Sequence, residues 1–335
     1  MQIASWTVSE RTKTFVLASS LLAAMLPTGA SAATADGYPQ RPIRLVVPVP
    51  PGGAGDFTAR LASIKIADAL GQNIIVENRG GAAGVIATEF VAKGTPDGYT
   101  LLLSSSTTHG IGPVLYKKLP YDAQKDFTHI GLIATIPGVM AVNQSVSAYS
   151  VKEFVALAKA KPGQLLFGSS GNGAPPHLMG ELFKATSGAP IVHVPYKGSG
   201  PAVLDLVGGQ IQVMFDGLPS LLGQIKGGKL RALAAVSAVR SNVLPDLPTM
   251  AEAGYPGVEG GLWYGVSGPA GVPPAIVERI SKEIFAAVAL AEVKERFAGQ
   301  GAFVSPLRPR EYTEFIQKEM NKWGPVVKAS GATID

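Results

Sequence analysis

Short apolar runs alternate with longer amphipathic segments along most of the chain, and glycine- or proline-rich turns separate them. The run Ile43-Arg44-Leu45-Val46-Val47 predicts a strand, and residues 56–70 set Leu61, Ile64 and Leu70 on one side of a helix that Gly71 ends. A strand over 73–77, a helix over 82–93 closed by Gly94 and Pro96, and a strand over 99–104 follow. Apolar runs over 127–134 and 139–143 predict two more strands. A second series then begins: a helix capped by Ser150 and ending at Ala160, a strand over 165–168, and a helix with Leu178, Leu182 and Phe183 on its apolar side. Strands over 191–194, 211–215 and 230–236 follow, with helices between them. A strand over 262–266 precedes a helix opened by Pro273-Pro274 and a terminal helix outlined by Tyr312, Ile316, Trp323 and Val327. The alternation predicts an α/β fold, a mainly parallel sheet flanked by helices, in which ligands collect at the carboxyl ends of strands.

The first 32 residues stand outside this pattern. Arg11 and Lys13 precede an apolar stretch over 14–26 that is too short to span a bilayer, and Ala30-Ser31-Ala32 supplies a small-residue cleavage site. This predicts an export signal cleaved near Ala32, with a mature chain starting near Ala33. The chain of 335 residues, 46% hydrophobic, is long enough for a sizeable core in two lobes. Losing Glu10, Arg11 and Lys13 lowers the formal charge of +5 by one. The excess is mild and scattered, and no nucleic-acid-binding motif accompanies it, so it fits an anionic small molecule better than nucleic acid. There is no cysteine, which excludes disulfides and thiol catalysis.

Two turns carry the candidate chemistry. Pro50-Pro51-Gly52-Gly53-Ala54-Gly55-Asp56 links a strand to a helix, and glycines there bring bare backbone N–H groups close to a bound group. The helix N-terminus adds unpaired donors and partial positive charge, which suits an anion. Thr58 stands where a dinucleotide fingerprint needs glycine, and no lysine sits in the turn, so a carboxylate fits better than a nucleotide. Ser169-Ser170-Gly171-Asn172-Gly173-Ala174-Pro175-Pro176-His177 is the second such turn. Candidate ligand contacts are Pro51, Gly52, Gly53 and Asp56 in the first turn and Ser170, Gly171, Asn172, Gly173 and His177 in the second. Asp56 is equally readable as an N-cap. Ser105 and Thr107 follow a strand and offer hydroxyls; Tyr196 and Asp216 also follow strands, where each could instead hold its own turn.

Further residues resemble a known family. Tyr38-Pro39-Gln40-Arg41-Pro42-Ile43-Arg44-Leu45-Val46-Val47-Pro48 with Pro50-Pro51-Gly52-Gly53 and Asp56 is similar to the opening of the Bug receptors, the solute-binding proteins of tripartite tricarboxylate transporters. Val76-Glu77-Asn78-Arg79, Pro96-Asp97-Gly98-Tyr99-Thr100-Leu101-Leu102, Leu119-Pro120-Tyr121-Asp122, Val194-Pro195-Tyr196-Lys197-Gly198, Leu247-Pro248-Thr249 and Trp263 continue the match. The resemblance implies a type II-like periplasmic-binding fold: residues 38–140 with 262–335 as one lobe, 141–261 as an inserted second lobe, and a hinge between them. It implies a small organic carboxylate held in the cleft by backbone amides and hydroxyls, and inner-membrane transporter subunits as partners. A monomer without cofactor or metal is expected. Val49, Gly80 and Gly112 depart from the family's usual aromatic, proline and asparagine, so ligand identity does not transfer. Two other functions stay open: a ligand sensor serving a signalling partner, and a periplasmic hydrolase or isomerase. Gly168-Ser169-Ser170-Gly171-Asn172 fails the G-x-S-x-G pattern, and His109, His129, His177 and His193 lack metal-motif spacing.

Overall fold

The computed structural model describes Gln2 and residues 37–332, so the export signal predicted over 1–32 lies outside the described residues. The chain enters the sheet at β1 (Ile43–Val47), four of whose five residues are buried. α1 (Ala54–Leu70) crosses to β2 (Ile74–Asn78), which pairs parallel to β1. Gly71 in the left-handed region closes α1, as the glycine there predicts. The helix expected over 82–93 is shorter. Ala82 and Ala83 hold φ of +45° and +51°, so a tight turn precedes α2 (Val85–Ala92). β3 (Thr100–Ser105) lies parallel to β1 on its other side. The polar run after it is no plain loop: it winds into a π-helical turn (Ser106–Ile111) that feeds the short α3 (Gly112–Leu115).

β4 (Phe127–Asn143) is a single strand of 17 residues where the apolar pattern suggested two. Pro137 and Gly138, which read as a break, continue the ladder, and irregularities of register near His129 and Leu132 bend the strand. α4 (Val151–Ala160) carries the predicted Ser150 cap, whose hydroxyl accepts from Glu153 N. β5 (Leu166–Ser169), α5 (Pro175–Ser187), β6 (Val192–Pro195), α6 (Ser199–Val207), β7 (Val213–Gly217), α7 (Leu218–Lys226) and β8 (Leu230–Val236) complete the second series. β9 (Gly261–Pro269), α8 (Pro274–Ala289), α9 (Ala291–Gly299), β10 (Phe303–Leu307) and α10 (Pro309–Ser330) follow; α9 and β10 were not foreseen.

The strands form one curled mixed sheet in the order β2-β1-β3-β9-β4-β7-β5-β6, with β8 and β10 also on β4. β1–β3 are parallel at one end and β5–β7 at the other. Both reach the middle through antiparallel pairs: β9 joins β3 to the first part of β4, and β7 with β8 joins its last part. α1 and α8 cover a core containing Leu45, Val47, Leu103, Val266 and Ile284. Along β4, Met140 and Val142 pack with Phe167 and Phe183, whereas Val139 and Ala141 pack with Met214 and Leu221. That alternation places α5 and α7 on opposite faces of the sheet. At roughly 1.5–3 kcal/mol for each large side chain buried, these layers hold the strand ends, and hence the turns, in place.

Candidate ligand-binding site

The first glycine turn is braced from within. Gly53, not Asp56, is the N-cap of α1, and Asp56 occupies the first helical turn with 6% of its surface exposed. Its carboxylate reaches back to accept from Gly52 N at 3.0 Å and also binds Arg60 Nε at 2.9 Å and Asn78 Nδ2 at 3.0 Å. Asn78 donates to the Val49 carbonyl as well. Burial alone would raise the Asp56 carboxyl, but the bonds from Arg60, Gly52 and Asn78 hold it below the usual carboxylate range. Gly52 needs glycine, with φ of +87°. Its amide is occupied, whereas among the described residues the amide of Gly53 has no such partner. Pro51 is exposed at the turn's tip and has no amide hydrogen to give.

Ser105 and Thr108 cap the π-helical turn reciprocally: Ser105 Oγ accepts from Thr108 N, and Thr108 Oγ1 accepts from Ser105 N. Ser105 is therefore turned inward and buried, while Thr107 is half-buried. Gly84 ties this turn to the first, because a Cβ there would lie 2.9 Å from Pro48 Cβ and 3.0 Å from Thr108 Cγ2. α3 then reaches the second glycine turn: a Cβ on Gly173 would fall inside the Leu115 side chain. Pro48, Gly84 and Thr108 thus pack together beside the first turn, and Leu115 on α3 packs against the second. The 81–84 segment escaped the sequence reading, although Gly80-Gly81-x-x-Gly84 is a dense glycine signal and two left-handed alanines mark backbone strain.

In the second turn two amides are already engaged. Gly171 N donates to Ser169 Oγ at 3.2 Å, and Gly173 N donates to His177 Nδ1 at 3.0 Å. Ser170 accepts from Gly198 N through its carbonyl; among the described residues its amide and that of the exposed Asn172 make no such bond. His177 is buried and stacks on His193 at 3.9 Å, and His193 Nε2 lies 2.6 Å from Ser169 Oγ. The expected cleft-facing histidine is thus a brace for its own turn. Tyr196 is similarly turned aside, donating to Asp205 Oδ2 at 2.7 Å. Asp216 lies fully buried at the end of β7; Gly217 N donates to its Oδ1 at 2.7 Å. A groove of about 520 Å³ runs between α5 and the end of α10, but none of the predicted ligand residues lines it.

The stacked pair makes the second turn acid-sensitive. Burial, then the neighbouring His177 and Lys184, push His193 down to about 3, and burial also lowers His177. An unfolded imidazole titrates near 6.5, so below that pH the unfolded chain takes up protons that the folded turn refuses. Stability is therefore expected to be complete above about pH 6.5 and to decline as pH falls toward 3. Urea midpoints between pH 7 and pH 4 test this. His193→Gln should flatten the decline, and an unchanged slope would refute the assignment.

Residues 58–332 match the family described as the tripartite tricarboxylate transporter family receptor. The chain belongs to that family. Its likeness extends beyond the matched segment: the receptor is 40% identical over 306 residues to protein BugT of Bordetella pertussis, covering 91% of this chain and 94% of that one. It is also similar to a Rhodopseudomonas palustris protein solved with adipate, at 34% identity and a TM-score of 0.84, over 89% of this chain and 100% of the other. MatC from Rhodopseudomonas palustris with bound malate gives 32% identity and a TM-score of 0.79, over 87% and 100%. The family is one of solute-binding receptors rather than enzymes.

Proposed function

We propose that this receptor works in the periplasm, where it captures a small organic carboxylate between two lobes and delivers it to the inner-membrane subunits of a tripartite transporter, without chemical conversion. The lobes are residues 38–140 with 262–335, and residues 141–261. β4 and β9 run between the two parallel ends of the sheet and are the natural hinge. One observation carries the reading: at the ends of β1 and β5 the amides of Gly53, Ser170 and Asn172 have no partner among the described residues, and Gly53 opens a helix of 17 residues. A carboxylate satisfies such donors and the helix terminus together. The two relatives solved with adipate and malate support a carboxylate as the solute class. Closing on the ligand shifts the population that the membrane partner recognises.

A thermal-shift screen of small mono-, di- and tricarboxylates on the mature chain tests the reading, since binding to the folded state raises Tm. Gly53→Pro sharpens it. Gly53 has φ of −89°, and nothing lies within 4 Å of a Cβ placed there, so proline removes the amide hydrogen without a clash at Cβ, and circular dichroism checks that the variant folds. Kd for a hit is expected to rise about tenfold or more, since a charge-assisted hydrogen bond contributes roughly 1.5–3 kcal/mol. An unchanged Kd would take Gly53 out of the site.

A further inference from the structure

Asp216 is the polar group in the β5–β7 half that the turns do not explain. It is 1% exposed, its Oδ1 accepts from Gly217 N, and its Oδ2 is buried without a hydrogen-bond partner. A buried carboxylate oxygen left unpaired is expensive, so a partner must supply a proton or a donor. The surroundings are not apolar packing alone. Ser199, the first residue of α6, sends its hydroxyl toward the Asp216 carboxyl, and the Asp216 charge is felt at Tyr264 on β9. Tyr264 in turn lies against the start of α1: a Cβ on Gly55 would sit 3.0 Å from its Cε1. Tyr264 therefore touches the first helical turn of α1 and lies within reach of the Asp216 charge, and the first residue of α6 faces the same carboxyl. Both helix starts favour negative charge, and between them stands one acceptor that wants a donor.

Resting on the carboxylate-receptor reading, we propose that Asp216 selects the solute: the receptor takes a small acid bearing a hydroxyl or ammonium group, its carboxylate at the start of α1 and its O–H or N–H donating to Asp216 Oδ2. An unsubstituted acid would leave that oxygen unpaired and would bind less tightly. A site built to accept a hydrogen bond discriminates strongly against a ligand that lacks the donor.

Calorimetric titration of the mature wild-type chain with succinate, L-malate and L-aspartate tests this, because these acids share a four-carbon skeleton and differ in one substituent. At least one of the two substituted acids is expected to bind tenfold or more tightly than succinate, and aspartate over malate would identify the donor as ammonium. Asp216→Asn, checked for folding by circular dichroism, is expected to reduce that preference to threefold or less. Equal affinity for all three acids on the wild type, or a preference untouched by Asp216→Asn, overturns the proposal. A broad carboxylate screen separates the two levels. Binding only of acids without a donor group overturns the role of Asp216 and leaves the receptor reading intact, whereas binding of no carboxylate overturns both.

Discussion

Gly265→Ala is expected to lower the melting temperature by about 6–10 °C. Gly265 sits in β9, where a Cβ would lie 2.7 Å from the Gly131 carbonyl of β4 and closer still to the Tyr312 ring. Neither neighbour has room to yield. Gly131 is backbone in the longest strand of the sheet, and Tyr312 is fully buried. Moving the ring breaks its 2.8 Å hydrogen bond to Ser104 Oγ, which continues to Ser267 Oγ and His129 Nδ1. Overpacking of about 1–3 kcal/mol adds to a lost buried hydrogen bond of similar size, roughly 3 kcal/mol together. Gly200→Ala, where nothing lies within 4 Å, is the control and should lose nothing. Calorimetric melting of both variants decides the matter; a fall under about 2 °C for Gly265→Ala would mean that β4 and β9 separate easily at this point.

Asp56→Ala is expected to destabilise the chain by about 2–4 kcal/mol, measured as a shift of the urea midpoint at constant slope. The substitution removes the acceptor for Gly52 N, Asn78 Nδ2 and Arg60 Nε in one step. Arg60 is half exposed and regains water, so its share is small. The amide of Gly52 and the side chain of Asn78 are the costly orphans. The favourable placement of a carboxylate in the first helical turn is lost as well. Asp56→Asn keeps one acceptor oxygen and should lose roughly half as much. Equal stability of Asp56→Ala and wild type would return Asp56 to the role of a ligand contact.

Much of this layout was legible beforehand, for local reasons. Gly71, Ser150 and the Pro273-Pro274 pair announce helix ends through their own backbone preferences, and each lies at or beside the boundary it signals. The two glycine turns stood out because the residues that shape them are neighbours in the chain. Single donors within them did not. Whether Gly171 N or Gly173 N is free depends on Ser169 Oγ and His177 Nδ1, whose rotamers follow from packing. The π-helical turn over Ser106–Ile111 was not foreseen, because serines and threonines satisfy a tight turn and open chain alike.

By itself the order of residues determined the α/β class, the position of the strand-to-helix turns and the family, because these depend on periodicity, on glycine and proline, and on motifs a few residues long. Only the tertiary structure decided that one strand, β4, carries both ends of the sheet, and that Gly55 and Tyr264 meet across more than half the chain. Strand register between distant segments is set by the packing of whole faces and by the bends in β4, and no short window of sequence contains either.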